Sequence, residues 1–123
     1  MKEVIIDTNF ILACIRQKID FFEDLKFMAL EVKIPDRVIE ELERLKEKHD
    51  RRETRLEAEF ALRLLKENDF KIIKLRQKFA DRAIMFYARN NPEAIIATLD
   101  REIKDKTRNQ KVVIKDRKKL EVI

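Results

Sequence analysis

The sequence predicts an α/β fold, a single three-layer domain with a central parallel sheet and helices on both of its faces. Strand patterns alternate with helical patterns along the chain, which is the arrangement that a parallel sheet requires. The apolar run at residues 94–99 is continuous, as expected for a strand covered on both faces. The length of 123 residues suits one domain, and we expect residues 1–123 to form it.

The first elements are a strand, two helices and a second strand. Three β-branched residues at positions 4–6 indicate a short buried strand. Residues 10–16 have helical periodicity, and Thr8 or Asn9 can cap that helix. Apolar residues recur at helical spacing in the next segment, and alternation at residues 31–35 predicts the second strand.

The middle of the chain predicts two helices joined by a charged connection. Pro35, which is tolerated in the first turn of a helix, opens the first of them. Residues 46–55 are nearly all charged, so we expect a solvated connection there. The first helix has an apolar stripe that we expect to face the core, formed by Val38, Leu42 and Leu45. The apolar residues that mark the second helix are Leu56, Phe60 and Leu64 with their neighbours Ala61 and Leu65.

The rest of the chain continues the alternation. Its elements are strands at residues 70–75, 94–99, 112–114 and 120–123, a helix whose apolar face spans residues 80–88, and a short charged helix after Asp100. The phenylalanines fall mostly within apolar stripes. We therefore expect them in the core and do not expect them to stack on nucleic-acid bases.

The composition excludes several classes of site. Because the chain has no glycine, it cannot form the glycine-rich loops that bind dinucleotides or nucleoside triphosphates. The chain has one histidine, His49, and one cysteine, Cys14. These are too few for two-histidine catalysis, an internal disulfide or a zinc site built from Cys and His. Without a run suited to a membrane span or signal peptide, we expect a cytoplasmic protein. The high content of Lys, Arg and Glu is typical of proteins from thermophiles.

Two predicted strands end in the same way, with an aspartate directly after the last apolar residue. These residues are Asp7 and Asp100, and neighbouring parallel strands would place both at the carboxyl edge of the sheet. Glu41 and Asp81 lie on helices beside core positions and could point toward the same edge. Each aspartate could instead be the N-cap of the next helix, and each helical acid a solvated surface residue. Both interpretations stay open at this point.

A cluster of carboxylates at one edge implies a metal ion. Each pair of carboxylates would repel by roughly 1–4 kcal/mol at ~4 Å. A hard divalent cation relieves that repulsion, and oxygen ligands favour Mg²⁺ or Mn²⁺. Such an ion can generate hydroxide from water and stabilise both oxygens of a phosphodiester displacement.

Four segments around these acids resemble the motifs of the PIN-domain nucleases, the family named after the PilT N-terminus. The segments are Asp7-Thr8-Asn9 with the strand before it, residues 34–43, Ala80-Asp81-Arg82, and residues 96–104. The register of the second segment selects Glu41 rather than Glu40. The resemblance covers nearly the whole chain, and the last segment is most similar to the ribosomal-RNA-processing branch.

The resemblance implies a sheet in the order 3-2-1-4-5 and metal-dependent cleavage of RNA, in ribosomal RNA processing or by a toxin of a toxin–antitoxin pair. The catalytic residues and ligands of Mg²⁺ or Mn²⁺ would be Asp7, Glu41, Asp81 and Asp100. The residues that would orient ligands or water behind them are Thr8, Asn9, Thr98 and Glu102. A homodimer and a protein partner, an antitoxin or a ribosome-assembly factor, are also implied.

The chain departs from the family pattern at Arg82, because many members have a second acid directly after the third-motif aspartate. This departure leaves open whether one or two metals bind. It also favours an alternative, an RNA-binding ribosome-assembly factor with the PIN fold and little or no catalytic activity. A phosphoacceptor receiver domain is a third α/β candidate, but residues 70–74 supply no acceptor aspartate.

Basic residues are concentrated after Asp100. Residues 101–119 contain nine Lys or Arg and three acids, in a chain whose net charge is +5. This segment could attract a phosphate backbone toward the acidic edge, although surface ion pairing explains the same pattern. The candidate RNA-binding residues are Arg82, Arg101, Lys104, Lys106 and Arg108.

Overall fold

The computed structural model describes residues 1–123 and contains six strands and six helices in alternation, as the sequence predicts. The strands are β1 (Glu3–Ile6), β2 (Glu31–Pro35), β3 (Lys71–Ile73), β4 (Ile95–Ala97), β5 (Lys111–Lys115) and β6 (Lys119–Val122). The helices are α1 (Thr8–Arg16), α2 (Phe21–Phe27), α3 (Asp36–Lys48), α4 (Arg52–Lys66), α5 (Ala80–Asn90) and α6 (Arg101–Lys106). None of these helices is long and apolar enough to cross a membrane.

The strands form one sheet in the order β3-β2-β1-β4-β5-β6, so the expected 3-2-1-4-5 order is confirmed. The first five strands are parallel, and β6 adds an antiparallel edge beside β5. The chain first moves outward from β1 to β3 and then crosses to β4 on the other side of β1. Because such crossovers are right-handed, α1 to α4 cover one face of the sheet and α5 and α6 cover the other.

The core is built on the central strands, as the apolar runs predict. Val4, Ile5 and Ile6 of β1 are fully buried, and all of β4 is buried between the two helical layers. Complete burial of one such branched side chain contributes about 1.5–3 kcal/mol. The sheet is therefore most stable around β1 and β4, which are also the strands that end in the candidate site residues.

The helix α4 buries only some of the apolar residues that mark it in the sequence. Leu56 and Phe60 are 51% and 53% exposed, whereas Ala58, Ala61 and Leu65 face the core. Small alanine side chains allow α4 to approach the neighbouring helices α1 and α3 closely, so the bulkier stripe turns toward solvent.

The charged segment between α3 and α4 is mostly helical. Helix α3 continues to Lys48 and α4 begins at Arg52, so the connection is only three residues long. Lys, Glu and Arg are good helix formers, and here they extend both helices into the region that was predicted to be a longer solvated connection.

Half of the eight phenylalanines do not lie in the core, so the expectation that they would is wrong for these four. The exposed ones are Phe27, Phe60, Phe79 and Phe86. Each of these phenylalanines lies in or at the end of a helix that also has buried apolar residues. Apolar spacing alone therefore did not identify which side of the helix is buried.

The hairpin between β5 and β6 turns without glycine. The Lys118 N–H donates to the Lys115 carbonyl at 3.1 Å, which closes the turn. Its two central residues, Asp116 and Arg117, have φ values of 55° and 57°. A residue with a Cβ atom loses roughly 1–2 kcal/mol in this left-handed conformation. The turn is therefore a local source of strain.

We expect Arg117→Gly to stabilise the protein by up to about 1 kcal/mol. Glycine adopts positive φ without a steric penalty, and the greater entropy of its unfolded chain offsets part of the gain. The measurement is the urea unfolding midpoint at an unchanged m value. The neighbouring Lys118→Gly is the control and should lower the midpoint, because φ of Lys118 is not positive. Equal changes in the unfolding midpoint for the two variants would contradict the backbone strain at Arg117.

Candidate functional site at the carboxyl edge of the sheet

The site lies where β1 and β4 end side by side. Ile6 pairs with Ala97, so the residues that follow the two strands emerge next to one another. The helices after these strands lie on opposite faces of the sheet, because the order of strands reverses between them. In open α/β sheets a crevice that binds ligands forms at such a reversal. Asp7 follows β1 directly, and Thr98 follows β4.

Asp7 is buried at this edge and held by three hydrogen bonds. Its N–H donates to the Ala97 carbonyl at 2.9 Å and so continues the contact between β1 and β4. Its Oδ1 accepts from the Thr8 N–H at 2.8 Å, and its Oδ2 accepts from the Thr98 hydroxyl at 3.0 Å. These bonds fix the carboxylate in one orientation.

Asp7 is also the N-cap of α1, which begins at Thr8. The prediction that Thr8 or Asn9 caps this helix is therefore wrong. The extended backbone of Asp7 places its short side chain beside the first free N–H of the helix, which a residue already inside the helix cannot do. Thr8 is instead buried, with an Oγ1 atom that has no hydrogen-bond partner, and Asn9 is exposed.

Thr98 joins the ends of the two strands. Its hydroxyl donates to Asp7 Oδ2 and accepts a hydrogen bond from the Asp100 N–H at 3.0 Å. With 1% of its surface exposed, Thr98 is held in place by its surroundings. A buried hydroxyl that both donates and accepts positions the Asp7 side chain and the Asp100 backbone relative to each other.

The surroundings of Asp7 raise its pKa to about 6. Burial is the largest cause, because it disfavours the charged form of the carboxyl group. The hydrogen bonds from Thr98 and Thr8 lower the pKa, while the negative charges of Glu41 and Asp100 raise it further. No Lys, Arg or His side chain forms a salt bridge with Asp7. The structure thus brings Asp7, Glu41 and Asp100 into one region of negative potential.

Asp100 is likewise the N-cap of its helix, α6. Its Oδ1 accepts from the N–H groups of Glu102 and Ile103 at 2.8 and 3.3 Å. The helix-cap interpretation of both aspartates is therefore correct. It does not exclude a second use, since Asp100 Oδ2 accepts no hydrogen bond and every carboxylate oxygen has two lone pairs.

The two helical acids, Glu41 and Asp81, lie at the same edge of the sheet, and neither forms a hydrogen bond with Asp7. Glu41 is in the second turn of α3, with its carboxylate 3.7 Å from the Arg44 guanidinium. Asp81 is in the first turn of α5, and its Oδ1 accepts from the Arg82 N–H at 2.8 Å. Unlike Glu41, Asp81 does not act on the pKa of Asp7.

The acids do not form a preassembled ligand set. No group of three or more Asp, Glu, His or Cys side chains is arranged so that it could hold a metal ion. The chemistry of the donors nevertheless fits a hard cation, because every donor is a carboxylate oxygen and the buried Asp7 lacks a positive partner. The buried Thr8 hydroxyl without a partner is a further polar atom available beside Asp7.

Glu102 is a surface acid paired with a neighbour on α6. The Lys106 ammonium donates to its carboxylate at 2.9 Å, and this hydrogen bond is the main reason why the pKa of Glu102 is lowered. The charge of Arg82 also lowers that pKa, which places Arg82 of α5 near Glu102 of α6.

The predicted RNA-binding residues do not all lie at the acidic edge. Arg82 and Arg101 are exposed in the first turns of α5 and α6, which begin at that edge. Lys106 is the last residue of α6, a helix about 9 Å long, and Arg108 lies beyond it. Lys104 lies within the helix, between Arg101 and Lys106. The sequence-based set of RNA-binding residues did not include Phe79 and Phe86, whose exposed rings lie on α5 and at its N-terminus.

A sheet of this order with acidic side chains at its reversal point defines the PIN-like class of α/β domains. A family model described as "PIN like domain" matches residues 4–119. The chain belongs to this family of PIN nucleases, and the resemblance found in its motifs is confirmed.

The curated relatives of the chain include a ribonuclease and an rRNA-processing protein. It is 30% identical to Ribonuclease VapC4 of Methanocaldococcus jannaschii over 129 aligned positions, which cover 99% of this chain and 97% of that protein. It is 34% identical over 110 positions to the rRNA-processing protein fcf1 of Schizosaccharomyces pombe. That match covers 85% of this chain and 53% of fcf1, so the chain spans about half the length of this relative.

Two solved structures share the fold. The PIN domain endonuclease Utp24 superposes with a TM-score of 0.79 at 30% identity, and the match covers 98% of this chain and 90% of that one. A domain of a functionally unknown protein from M. jannaschii superposes with a TM-score of 0.51 at 17% identity, covering 85% and 83% of the two chains. The latter likeness concerns the fold alone.

We expect Asp7→Asn to stabilise the protein at neutral pH. The pKa of Asp7 is about 6 in the folded state and ~3.9 in an unfolded chain, so the folded state binds the proton more tightly. The wild type therefore loses stability as the pH rises from about 4 to about 6, by about 3 kcal/mol. Asparagine carries no charge and avoids this loss.

Urea unfolding in EDTA at pH 3.5 and pH 7 measures this effect. The stabilisation by Asp7→Asn should be large at pH 7 and small at pH 3.5, where the wild-type carboxyl group is protonated in both states. Asp69→Asn, at an exposed loop position, is the matched control and should change little at either pH. The same stabilisation at both pH values would contradict the raised pKa.

Thr98→Val tests the hydroxyl that links the two strand ends. The substitution keeps the shape of the side chain but removes one donor to a buried carboxylate and the acceptor of the Asp100 N–H. We expect a loss of about 1.5–3 kcal/mol at pH 7 and a further rise in the pKa of Asp7, followed by NMR titration of its carboxyl carbon. Thr98→Ser keeps the hydroxyl and should behave like the wild type. A Thr98→Val protein with an unchanged titration would contradict the role of this bond.

Proposed function

We propose that the chain is a metal-dependent endoribonuclease that hydrolyses RNA phosphodiester bonds at the carboxyl edge of its sheet. The observation that carries this proposal is the buried Asp7 carboxylate, which has no cationic partner and lies in the field of Glu41 and Asp100. Such a group costs stability at neutral pH unless a cation neutralises it. A buried carboxylate with a raised pKa at the carboxyl edge of a parallel sheet is a candidate functional group, so this cost points to function.

Asp7 would be the central ligand, since its position is fixed by Thr8 and Thr98. Glu41, Asp81 and Asp100 would complete the set by rotation of their side chains, which are less buried than Asp7. A bound Mg²⁺ or Mn²⁺ supplies a nucleophile from water at neutral pH and neutralises charge on the phosphate. Thr98 would keep Asp7 Oδ2 in place, and Thr8 or Asn9 would orient water beside it.

The substrate class is proposed from charge and from the relatives. Arg82 and Arg101 are exposed where α5 and α6 begin, and both can attract a phosphate backbone to the acidic edge. The relatives are named as a ribonuclease, an rRNA-processing protein and an endonuclease, so cleavage of RNA is the activity that suits all of them. A homodimer, and an antitoxin or ribosome-assembly factor as protein partner, belong to the same proposal.

A second candidate function is an RNA-binding assembly factor with little or no catalysis. The observation that favours it is Arg82, a basic residue that directly follows Asp81 at a position where many family members have an acid. The charge of Arg82 would weaken binding of a cation by Asp81 through simple repulsion. Both candidates bind RNA, and they differ in whether the bound RNA is cut.

Cleavage of a labelled RNA in Mn²⁺, Mg²⁺ or EDTA tests the proposal. We expect cleavage only with a divalent ion, and we expect Asp7→Asn and Asp100→Asn to reduce it by more than the ~10–100-fold typical of residues that merely support metal ligands. Glu40→Gln is the matched control, since Glu40 forms its ion pair with Arg37 and is next to Glu41 in sequence. It should cleave normally.

Binding of the ion has a separate readout. Mn²⁺ should raise the melting temperature of the wild type and of Glu40→Gln, because it binds the folded state alone, but not that of Asp7→Asn. RNA that is bound in Mn²⁺ and never cut would favour the assembly-factor alternative. Cleavage that persists in Asp7→Asn would contradict the assignment of the site.

A further inference from the structure

One side of α5 carries a strip of aromatic and basic residues that the proposed metal site does not use. This aromatic–arginine strip consists of Phe79, Arg82, Phe86 and Arg89. The four positions recur every three or four residues, so they lie on one side of the helix and of the residue that precedes it. Phe79 and Phe86 are 60% and 52% exposed, and both arginines are exposed.

The hydrophobic core makes no use of this strip. Helix α5 packs on the sheet through its other side, where Ile84 and Ala88 are fully buried. Neither Arg82 nor Arg89 forms a salt bridge, although nine such pairs occur elsewhere on the surface. Two large rings and two unpaired guanidinium groups thus remain available to a ligand.

The strip begins at the acidic edge. Phe79 is the N-cap residue of α5, and Asp81, one of the proposed metal ligands, is in the first turn. The Lys78 ammonium lies 5.6 Å from the centroid of the Phe79 ring and adds a positive charge at this end. A ligand that lies along α5 therefore reaches the proposed metal site at one of its ends.

We propose that the aromatic–arginine strip binds single-stranded RNA, with bases stacked on Phe79 and Phe86 and phosphates contacted by Arg82 and Arg89. This inference rests on the proposed function and deepens it, because it specifies the surface that holds the RNA strand beside the proposed metal site. Exposed aromatic rings alternating with cations are the arrangement that binds single strands without sequence preference. A duplex cannot stack in this way because its bases are already stacked on one another.

Charge favours RNA over a protein partner at this surface. A protein interface with two unpaired arginines needs matching acids, and the strip itself offers none for a second copy of the chain. The contrast is α4, where exposed Leu56 and Phe60 lie beside charges that are already paired, such as Glu59 with Arg63. The phosphates of RNA supply the missing negative charge on the α5 side.

The test measures RNA binding separately from cleavage. Fluorescence anisotropy in EDTA with a labelled single strand of about 12 nucleotides, within the size range of known single-strand sites, gives the affinity of the wild type and of its variants. We expect Phe86→Ala to weaken binding about 5- to 150-fold, the range that corresponds to the loss of one base–aromatic stacking contact. Phe86→Trp should bind at least as tightly as the wild type. Phe60→Ala is the matched control, because Phe60 is equally exposed on another helix.

Stacking itself has a spectroscopic signature that a structural role would not produce. A 2-aminopurine base in the strand should be quenched by the wild type and less by Phe86→Ala at saturating protein, with circular dichroism showing that both are folded. Equal affinity of Phe86→Ala and Phe60→Ala, or equal affinity for a duplex of the same sequence, would overturn the proposal. A wild-type dimer that Phe86→Ala converts to a monomer would overturn it as well, in favour of a protein interface.

Failure of this inference can be distinguished from failure of the proposed function. If the RNA is cleaved in Mn²⁺ while Phe86→Ala retains full affinity, the catalytic proposal stands and the strip is not the binding surface. If a single strand binds through Phe86 and is never cleaved, the strip stands and the catalytic proposal fails.

Discussion

The hydrogen bond from Thr98 to Asp7 is the contact on which the carboxyl edge of this protein depends. It connects the residue after β1 to the residue after β4, at the point where the chain leaves the two strands toward opposite faces of the sheet. Without this hydrogen bond, only backbone contacts would hold the buried Asp7 carboxylate in place where the two chain segments diverge. The same hydroxyl holds the Asp100 N–H, so one buried threonine sets the relative positions of two acids that are 93 residues apart in the sequence.

Asp7 and Asp100 combine two tasks that are usually considered as alternatives. Each caps a helix and thereby stabilises the fold, and each contributes to a region of negative potential that destabilises the fold at neutral pH. The combination follows from geometry, because the carboxyl end of a parallel strand and the N-terminus of the next helix are the same place. A carboxylate there can face the helix dipole with one oxygen and keep lone pairs for a cation. The proposed ion would remove the cost of repulsion while leaving both caps in place.

The fold and the central acids were predictable from the sequence because each follows from a local pattern. Parallel strands are buried on both faces, so the apolar run of β4 was enough to predict that strand. The aspartates after β1 and β4 were then located by where each apolar run ends. The buried face of α4 was not predictable in this way, since Leu56 and Phe60 match a helical stripe as well as Ala58 and Ala61 do, and only the neighbouring helices decide between them. The exposed Phe79 and Phe86 were missed for the same reason. The orientation of Glu41 and Asp81 is also a tertiary property, which no spacing along the chain contains.

An acidic edge and an RNA substrate are electrostatically opposed, and this opposition limits where binding energy can come from. Phosphates approaching Asp7, Glu41 and Asp100 are repelled unless a cation is present, so the edge cannot hold the strand by itself. Arginines offset the repulsion, but their contribution is screened by salt within about a Debye length. Stacking on aromatic rings is insensitive to charge and is therefore the interaction best suited to hold a strand beside carboxylates. If the strip binds RNA as proposed, the two exposed rings would hold the strand where charge cannot, and this gain would offset the stability lost by leaving them unburied.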